Sequence, residues 1–258
     1  MIPLKDQDAI RVKFAHEMLG PVKIDYFTQS EIDIVVPGRQ PCAYCRPTRE
    51  MLQELAALSD LISLRVHNVE EEREEAAKFG VERIPGIVLR GRSEASFKFY
   101  GFPGGTEFPS FLDTIVDVSR REVLFSEPSV KALGKVKEDV VVKVFVTPTC
   151  PYCPGMARAA CQMALANPHI KAEVIEVNEF PELAQRYSVS AVPLTVIGER
   201  IAIPGAVPEK ALVEQVLKAA GSPAAQPTDV RGPTTAPMPP EEGPPGQKGR
   251  GGGGLVLP

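Results

Sequence analysis

No surplus of positive charge marks this sequence. Its 29 Lys and Arg stand against 33 Asp and Glu, a formal net charge of −4, and the basic residues are scattered among acids. Nucleic acid and anionic membrane surfaces find no counter-charge here, so neither is expected as a partner. No apolar run approaches the roughly 18 residues of a membrane span. The opening stretch Met1-Ile-Pro-Leu-Lys-Asp-Gln-Asp8 lacks the basic start and apolar core of a secretory leader. The expected setting is therefore the cytoplasm, with no membrane association. Cysteine is scarce as well: five in 258 residues do not make the disulfide framework of a small secreted domain, which wants a short chain and an even count. Histidine occurs three times, at His16, His67 and His169, far from one another and from the cysteine pairs. Neither a metal centre nor a cysteine–histidine nucleophile is expected of them, and all three are expected to face solvent.

What the cysteines do show is a spacing. Four of them form Cys42-Ala-Tyr-Cys45 and Cys150-Pro-Tyr-Cys153, leaving Cys161 among alanines and methionines as an expected core filler. A shift of 108 positions lays the first pair on the second without a gap. It also lays Phe79 on Tyr187, Val81 on Val189, Ile84 on Val192 and Pro85 on Pro193. A proline after a β-branched residue thus follows each first cysteine at 43 residues, and the chain is read as two copies of one domain.

Hydrophobic periodicity agrees with that division. An extra helix is expected over 6–19, then strands over 23–28 and 32–37, a helix over 46–58 carrying the Met51, Leu52, Leu55 and Leu58 stripe, and a strand over 61–69. An acidic helix over 71–79 with Glu70 to Glu75 on an exposed face, strands over 87–89 and 97–100, and a helix over 108–118 complete the first half. The second half repeats the pattern with strands over 140–146, 170–177, 194–197 and 201–203 and helices over 154–166, 181–187 and 209–219. The fold class is α/β: two tandem units, 1–125 and 126–220, each a central mixed sheet flanked by helices. Beyond Gly221 the composition turns to Pro, Gly, Ala and Thr. The segment 221–258 buries too little apolar area to offset its ordering entropy and is expected to be a disordered tail.

A Cys-x-x-Cys pair where a strand ends and a helix begins sets its first cysteine against unsatisfied backbone amides at the positive end of the helix dipole. This favours thiolate, the attacking species in disulfide exchange. Cys42 and Cys150 are the expected nucleophiles, and Cys45 and Cys153 the resolving thiols. Tyr44, Pro151 and Tyr152 tune the pairs, and Arg46 either stabilises a thiolate or is a solvated helix residue. Pro85 and Pro193, after Ile84 and Val192, are places where a cis bond would present backbone groups to an extended substrate. A cysteine-bound zinc or copper site is the non-enzymatic alternative, and the first unit is alternatively an inactive scaffold.

The segments Val144-Phe-Val-Thr-Pro-Thr-Cys-Pro-Tyr-Cys-Pro154, Ile84-Pro85-Gly86 and Phe99-Tyr-Gly-Phe-Pro-Gly-Gly-Thr-Glu-Phe108 resemble the protein disulfide oxidoreductases of thermophilic archaea and bacteria, often described as glutaredoxin-like. The resemblance covers about residues 1–220 and implies two tandem thioredoxin-like folds. It implies that both pairs are redox active, with Cys150 and Cys153 the more reactive. Its implied partners are disulfide-containing proteins and, as electron donor, a thioredoxin-reductase-like flavoprotein. The family is also similar to the N-terminal module of alkyl hydroperoxide reductase flavoproteins, which makes an electron relay between a flavoprotein and a peroxiredoxin the second functional candidate. No flavin or nicotinamide fingerprint occurs, so no cofactor is expected. Two departures stand out. Thioredoxins place an aspartate six residues before the first cysteine, where this chain has Val36 and Val144, so water or another acid must carry the proton. Glutaredoxins hold a lysine three residues before it, where this chain has Arg39 and Thr147, which leaves no glutathione anchor in the second unit.

Overall fold

The computed structural model describes residues 2–30, 41–92 and 97–221. The strand expected over 32–37, Val36, Arg39 and the tail after Gly221 lie outside them. The elements run α1 (Leu4–Glu17), β1 (Val22–Thr28), α2 (Cys45–Ala56), β2 (Ile62–Asn68), α3 (Arg73–Lys78), β3 (Gly86–Arg90), β4 (Phe97–Tyr100), α4 (Glu107–Arg120), α5 (Glu127–Leu133), β5 (Val140–Val146), α6 (Cys153–Ala166), β6 (Ile170–Glu176), α7 (Pro181–Arg186), β7 (Leu194–Ile197), β8 (Ile201–Pro204) and α8 (Glu209–Ala220). Every expected element within the described residues is present. Helix α5 is an addition to the expected set, although Ser126 before it and Pro128 in its first turn are helix-start chemistry.

The two units do not keep separate sheets. All the strands form one sheet in the order β2-β1-β3-β4-β6-β5-β7-β8. The seam is the parallel pairing of β4 with β6, which sets Phe97 beside Ala172, Phe99 beside Val174 and Tyr100 beside Ile175. Side chains alternate across this sheet with period two. Ile24 and Tyr26 of β1 and Val140, Val142 and Val144 of β5 join one apolar core with α2, α4 and α6 that crosses the seam. The other face carries two smaller clusters, one with Phe27, Ala76 and Val88 under α3 and one with Phe145, Leu183 and Tyr187 under α7.

Register keeps the 108 shift after each pair and shows a gap before the first. Tyr26 pairs with Val66 and Ile87, and Val144 with Val174 and Thr195, so Tyr26 is the counterpart of Val144. Fourteen positions separate Thr28 from Cys42 but four separate Val146 from Cys150, and the first unit therefore carries a ten-residue insertion between strand and pair.

A second correction concerns His67. It is fully buried rather than solvent-facing: its ring stacks on Phe27 at 4.5 Å, Nε2 lies 3.1 Å from Asp25 Oδ1 and Nδ1 lies 2.8 Å from Glu72 Oε2. Arg90 closes the cluster on Asp25 Oδ2 at 2.9 Å through Nε. A histidine this deep persists because both ring nitrogens meet partners. Cys161 is buried as expected, and burial pushes its thiol up, out of reach of exchange chemistry.

Polar groups lock α4 to α6 across the seam. The buried Asp117 accepts from Arg158 Nε at 2.7 Å, from the same guanidinium's NH2 at 2.9 Å and from Gln162 Nε2 at 2.8 Å. Removing that carboxylate leaves the Arg158 guanidinium only its 3.2 Å contact with Asp113 and takes the acceptor from the buried Gln162 amide. Asp117→Ala is expected to cost about 3 kcal/mol in urea unfolding of the full chain. Asp8→Ala, which breaks only the exposed pair with Arg11, should leave the midpoint where it is.

Candidate functional site

The tyrosine of each pair occupies the N-cap position, so the helix starts at the second cysteine: Tyr44 precedes α2 and Tyr152 precedes α6. Neither tyrosine caps with its side chain, and the first-turn amides are left for other acceptors. In the second unit one is used at once, since the Cys153 N–H donates to Cys150 Sγ at 3.1 Å. An amide aimed at that sulfur, on top of the helix dipole, favours its anion. Both pairs are closed as disulfides, with Cα atoms 5.4 Å apart in the first and 5.5 Å in the second. In each, the first cysteine is the more accessible. Cys42 is half-buried above a Cys45 that is 2% exposed, and Cys150 keeps 7% exposure above a sealed Cys153.

Sheet direction places both pairs on one edge of the molecule. Strands β1, β4, β6 and β5 run parallel, and each pair follows the carboxyl end of its strand. From β1 to β5 there are four strand spacings, roughly 19 Å. The pairs cannot exchange directly, nor can their four sulfurs share one metal ion. Among the described residues no group of three or more His, Cys, Asp or Glu is placed to hold a metal.

The expected companions of the pairs are where the sequence puts them. The Ile84–Pro85 and Val192–Pro193 peptides are both cis, and both prolines are buried. Ile84, Pro85, Cys42 and Tyr44 line one cleft of about 540 Å3. Val192 packs against the core cluster that contains Cys150 and Cys153. Tyr44 and Tyr152 are exposed, the latter at 68%, and offer aromatic faces beside the sulfurs. Arg46 lies 3.4 Å from Glu50 in an exposed pair on α2.

The first unit also grips the second pair, a contact with no signal in the sequence pattern. Thr106 Oγ1 donates to Cys150 O at 2.9 Å, the Thr106 N–H donates to Pro148 O at 2.8 Å, and Ser110 Oγ donates to Pro154 O at 3.1 Å. Gly105, at φ +58°, lies so close that a Cβ would meet Pro148 O at 2.2 Å, so only glycine fits. Between these anchors sits Glu107. Its carboxyl is 2% exposed and Oε1 has no hydrogen-bond partner among the described residues. Burial pushes it up to about 7. The Thr106 and Ser110 contacts on either side of it hold the first turn of α4 against the second pair and the start of α6. The sequence signal of Glu107 is its place on the buried stripe with Phe111 and Thr114, where a carboxylate has no packing reason to be.

In the first unit the corresponding contact is different: the Tyr26 hydroxyl donates to Cys45 O at 2.7 Å. The cleft there is lined by the first unit around Cys42 and Pro85 and closed on one side by Asn178, Glu179, Phe180 and Glu182 of the second unit.

The thioredoxin domain family matches residues 30–98 and 140–218 of this chain. The chain is 36% identical over 87 residues to thioredoxin of Methanocaldococcus jannaschii, spanning 98% of that protein and 33% of this one. It is 26% identical over 148 residues to the F component of alkyl hydroperoxide reductase from Xanthomonas campestris pv. phaseoli, covering 57% of this chain and 26% of that protein. It therefore spans about a quarter of the length of that relative. Among solved structures, a protein disulfide oxidoreductase from Aeropyrum pernix matches with TM-score 0.75 and 26% identity over 85% of this chain and 94% of that one. The NTD_N/C domain of alkylhydroperoxide reductase from Enterococcus faecalis matches with TM-score 0.73 and 22% identity over 84% and 100%, a likeness of fold. No helix among the described residues is long and apolar enough to cross a membrane.

Glu107 makes stability depend on pH. A carboxyl whose folded value is raised from 4.5 to about 7 favours the fold fully below pH 4.5, and that contribution is lost as pH rises through 7. Between pH 4 and pH 8, Glu107→Gln should gain about 3 kcal/mol on the parent in unfolding free energy. Urea midpoints across that range check it, and parallel curves would show that Glu107 is solvated.

Proposed function

Because this chain belongs to the thioredoxin domain family, we propose that it is a protein disulfide oxidoreductase exchanging disulfides with other proteins through both Cys-x-x-Cys pairs. The observation that carries this is the placement of Cys150: a sulfur at the start of α6, with the Cys153 N–H on it at 3.1 Å. In this reading the units 1–125 and 126–220 each supply one complete pair.

In client reduction the Cys150 thiolate attacks a client sulfur, and the client S–S bond breaks with its electron pair on the leaving sulfur. Cys153, its proton passed to the Glu107 carboxylate, then attacks Cys150 Sγ and releases the second client sulfur. The cis segments Ile84–Pro85 and Val192–Pro193 offer backbone rather than side-chain recognition, which suits clients of many sequences. Tyr44, Pro151 and Tyr152 shape the approach to the sulfurs. The electron donor in this account is a flavoprotein of the thioredoxin-reductase type, and the setting is the cytoplasm.

A second reading is favoured by the likeness to the alkyl hydroperoxide reductases: a relay passing electrons from a flavoprotein to a peroxiredoxin. The two differ in clientele. With dithiothreitol as reductant, Cys150→Ser should lower insulin reduction by roughly tenfold or more, and an unchanged rate would reject Cys150 as the main nucleophile. Cys153→Ser should accumulate mixed disulfides. Many client proteins in that trap support the general enzyme, and a peroxiredoxin alone supports the relay.

A further inference from the structure

The cleft at the first pair is built by both units, and its second-unit wall holds a carboxyl with unusual surroundings. Glu82 and Glu182, which also line it, are largely exposed and lie 3.1 Å and 3.8 Å from the Arg83 guanidinium. Glu179 is half-buried and has no ion pair among the described residues. Its Oε1 accepts the Phe102 N–H at 2.6 Å, across the seam, while Oε2 makes no hydrogen bond among the described residues. The loop that carries it is fixed from behind, since the buried Glu176 accepts the N–H groups of Asn178 at 3.2 Å and Glu179 at 3.0 Å.

The duplication shows that docking creates this arrangement. One repeat earlier, the position of Glu179 is Glu71, which is exposed beside the free edge strand β2. Only the pairing of β4 with β6 brings the loop after β6 against Gly101 and Phe102 and so into the cleft that Cys42 lines.

We propose that Glu179, supplied by the second unit across the seam, is the proton-transfer group for disulfide exchange at the first pair. This rests on the proposed function, in which Cys42 exchanges with client disulfides. In client reduction the Cys42 thiolate attacks one client sulfur. The client S–S bond breaks, its electron pair stays on the other sulfur, and that sulfur takes the Glu179 proton to leave as a thiol. The Cys45 thiol then gives its proton to the Glu179 carboxylate, and the Cys45 thiolate attacks Cys42 Sγ. The enzyme disulfide closes, and the first client sulfur leaves as a thiolate that water protonates. Two electrons have passed from the pair to the client, and Glu179 ends as it began. A group that both gives and takes a proton near neutrality suits these steps. Burial, with Glu176 beside it, pushes Glu179 up to about 7 even though the Phe102 N–H opposes the shift. The other charged groups lining the cleft are Glu82, Arg83 and Glu182.

The test uses the full chain with Cys150→Ser and Cys153→Ser, so that the first pair works alone on a disulfide-bonded peptide. Its kcat/KM is expected to inflect near pH 7. Glu179→Gln, which keeps an acceptor for the Phe102 N–H, should abolish that inflection and lower the rate by roughly 100-fold at pH 7, the low end for a positioned proton carrier. Glu179→Asp should restore part of it. An unchanged profile and rate in Glu179→Gln would overturn the proposal while leaving the function standing. No exchange by the Cys150→Ser, Cys153→Ser chain itself would remove the first pair from the function, and this role with it. A substitution-free measurement follows the Glu179 side-chain 13C resonance with pH in oxidised and reduced wild-type chain. Reduction should raise its midpoint, because a Cys42 thiolate then shares the cleft, and identical titrations would count against the role.

Discussion

The pairing of β4 with β6 is the constraint on which both redox sites depend. Four residues on each side of that seam turn two small sheets into one and carry a continuous apolar core through Phe97, Phe99, Ala172 and Val174. The seam is also a matter of charge: Lys98 Nζ lies 3.3 Å from Glu173 Oε1 across it. Because the sheet is shared, both pairs emerge on the same edge, and each is completed by groups from the other unit. The first unit sends Thr106, Glu107 and Ser110 to the second pair, and the second unit sends the loop around Glu179 to the first.

This exchange explains why the two halves differ although they share one pattern. The join is head to tail, using β4 of one unit and β6 of the other. The copies of those strands, β8 and β2, are the free edges. At the free edge β2, Val66 and Glu71, the counterparts of Val174 and Glu179, are exposed. The second pair lies under α4 and the loop before it and keeps little exposure. The first pair lies beside an open cleft, with Tyr26 beneath it in the place of Val144. Identical spacing of cysteines thus gives one enclosed site and one open one.

Much of this is legible in the sequence, and the illegible part has a common cause. Cys-x-x-Cys and the proline 43 residues later are local signals whose spacing survives any insertion outside them, so the pairs and both cis peptides can be placed. The strand before the first pair cannot be aligned, because the shift that matches the cysteines skips the ten residues inserted ahead of them. The burial of His67 escapes the pattern because its partner Asp25 lies 42 positions away, although an aspartate inside the apolar run Val22–Thr28 hints at a buried partner. Glu107 sits within a stretch the family resemblance already singles out, yet its role is fixed by contacts with Cys150 O and Pro154 O that Thr106 and Ser110 make across units. Pattern within a repeat is readable, whereas contacts between repeats are set by docking.

The central claim is that the Cys153 N–H on Cys150 Sγ and the buried acid Glu107 of the docked first unit together favour a thiolate at the second pair. Absorbance of the thiolate at 240 nm reports this directly in the reduced full chain carrying Cys42→Ser and Cys45→Ser, where Cys150 is the first thiol to ionise. The account predicts a thiolate that forms below the roughly 8.5 of a free cysteine, with a second inflection near 7 where Glu107 loses its proton. A single step at the free-cysteine value would contradict it.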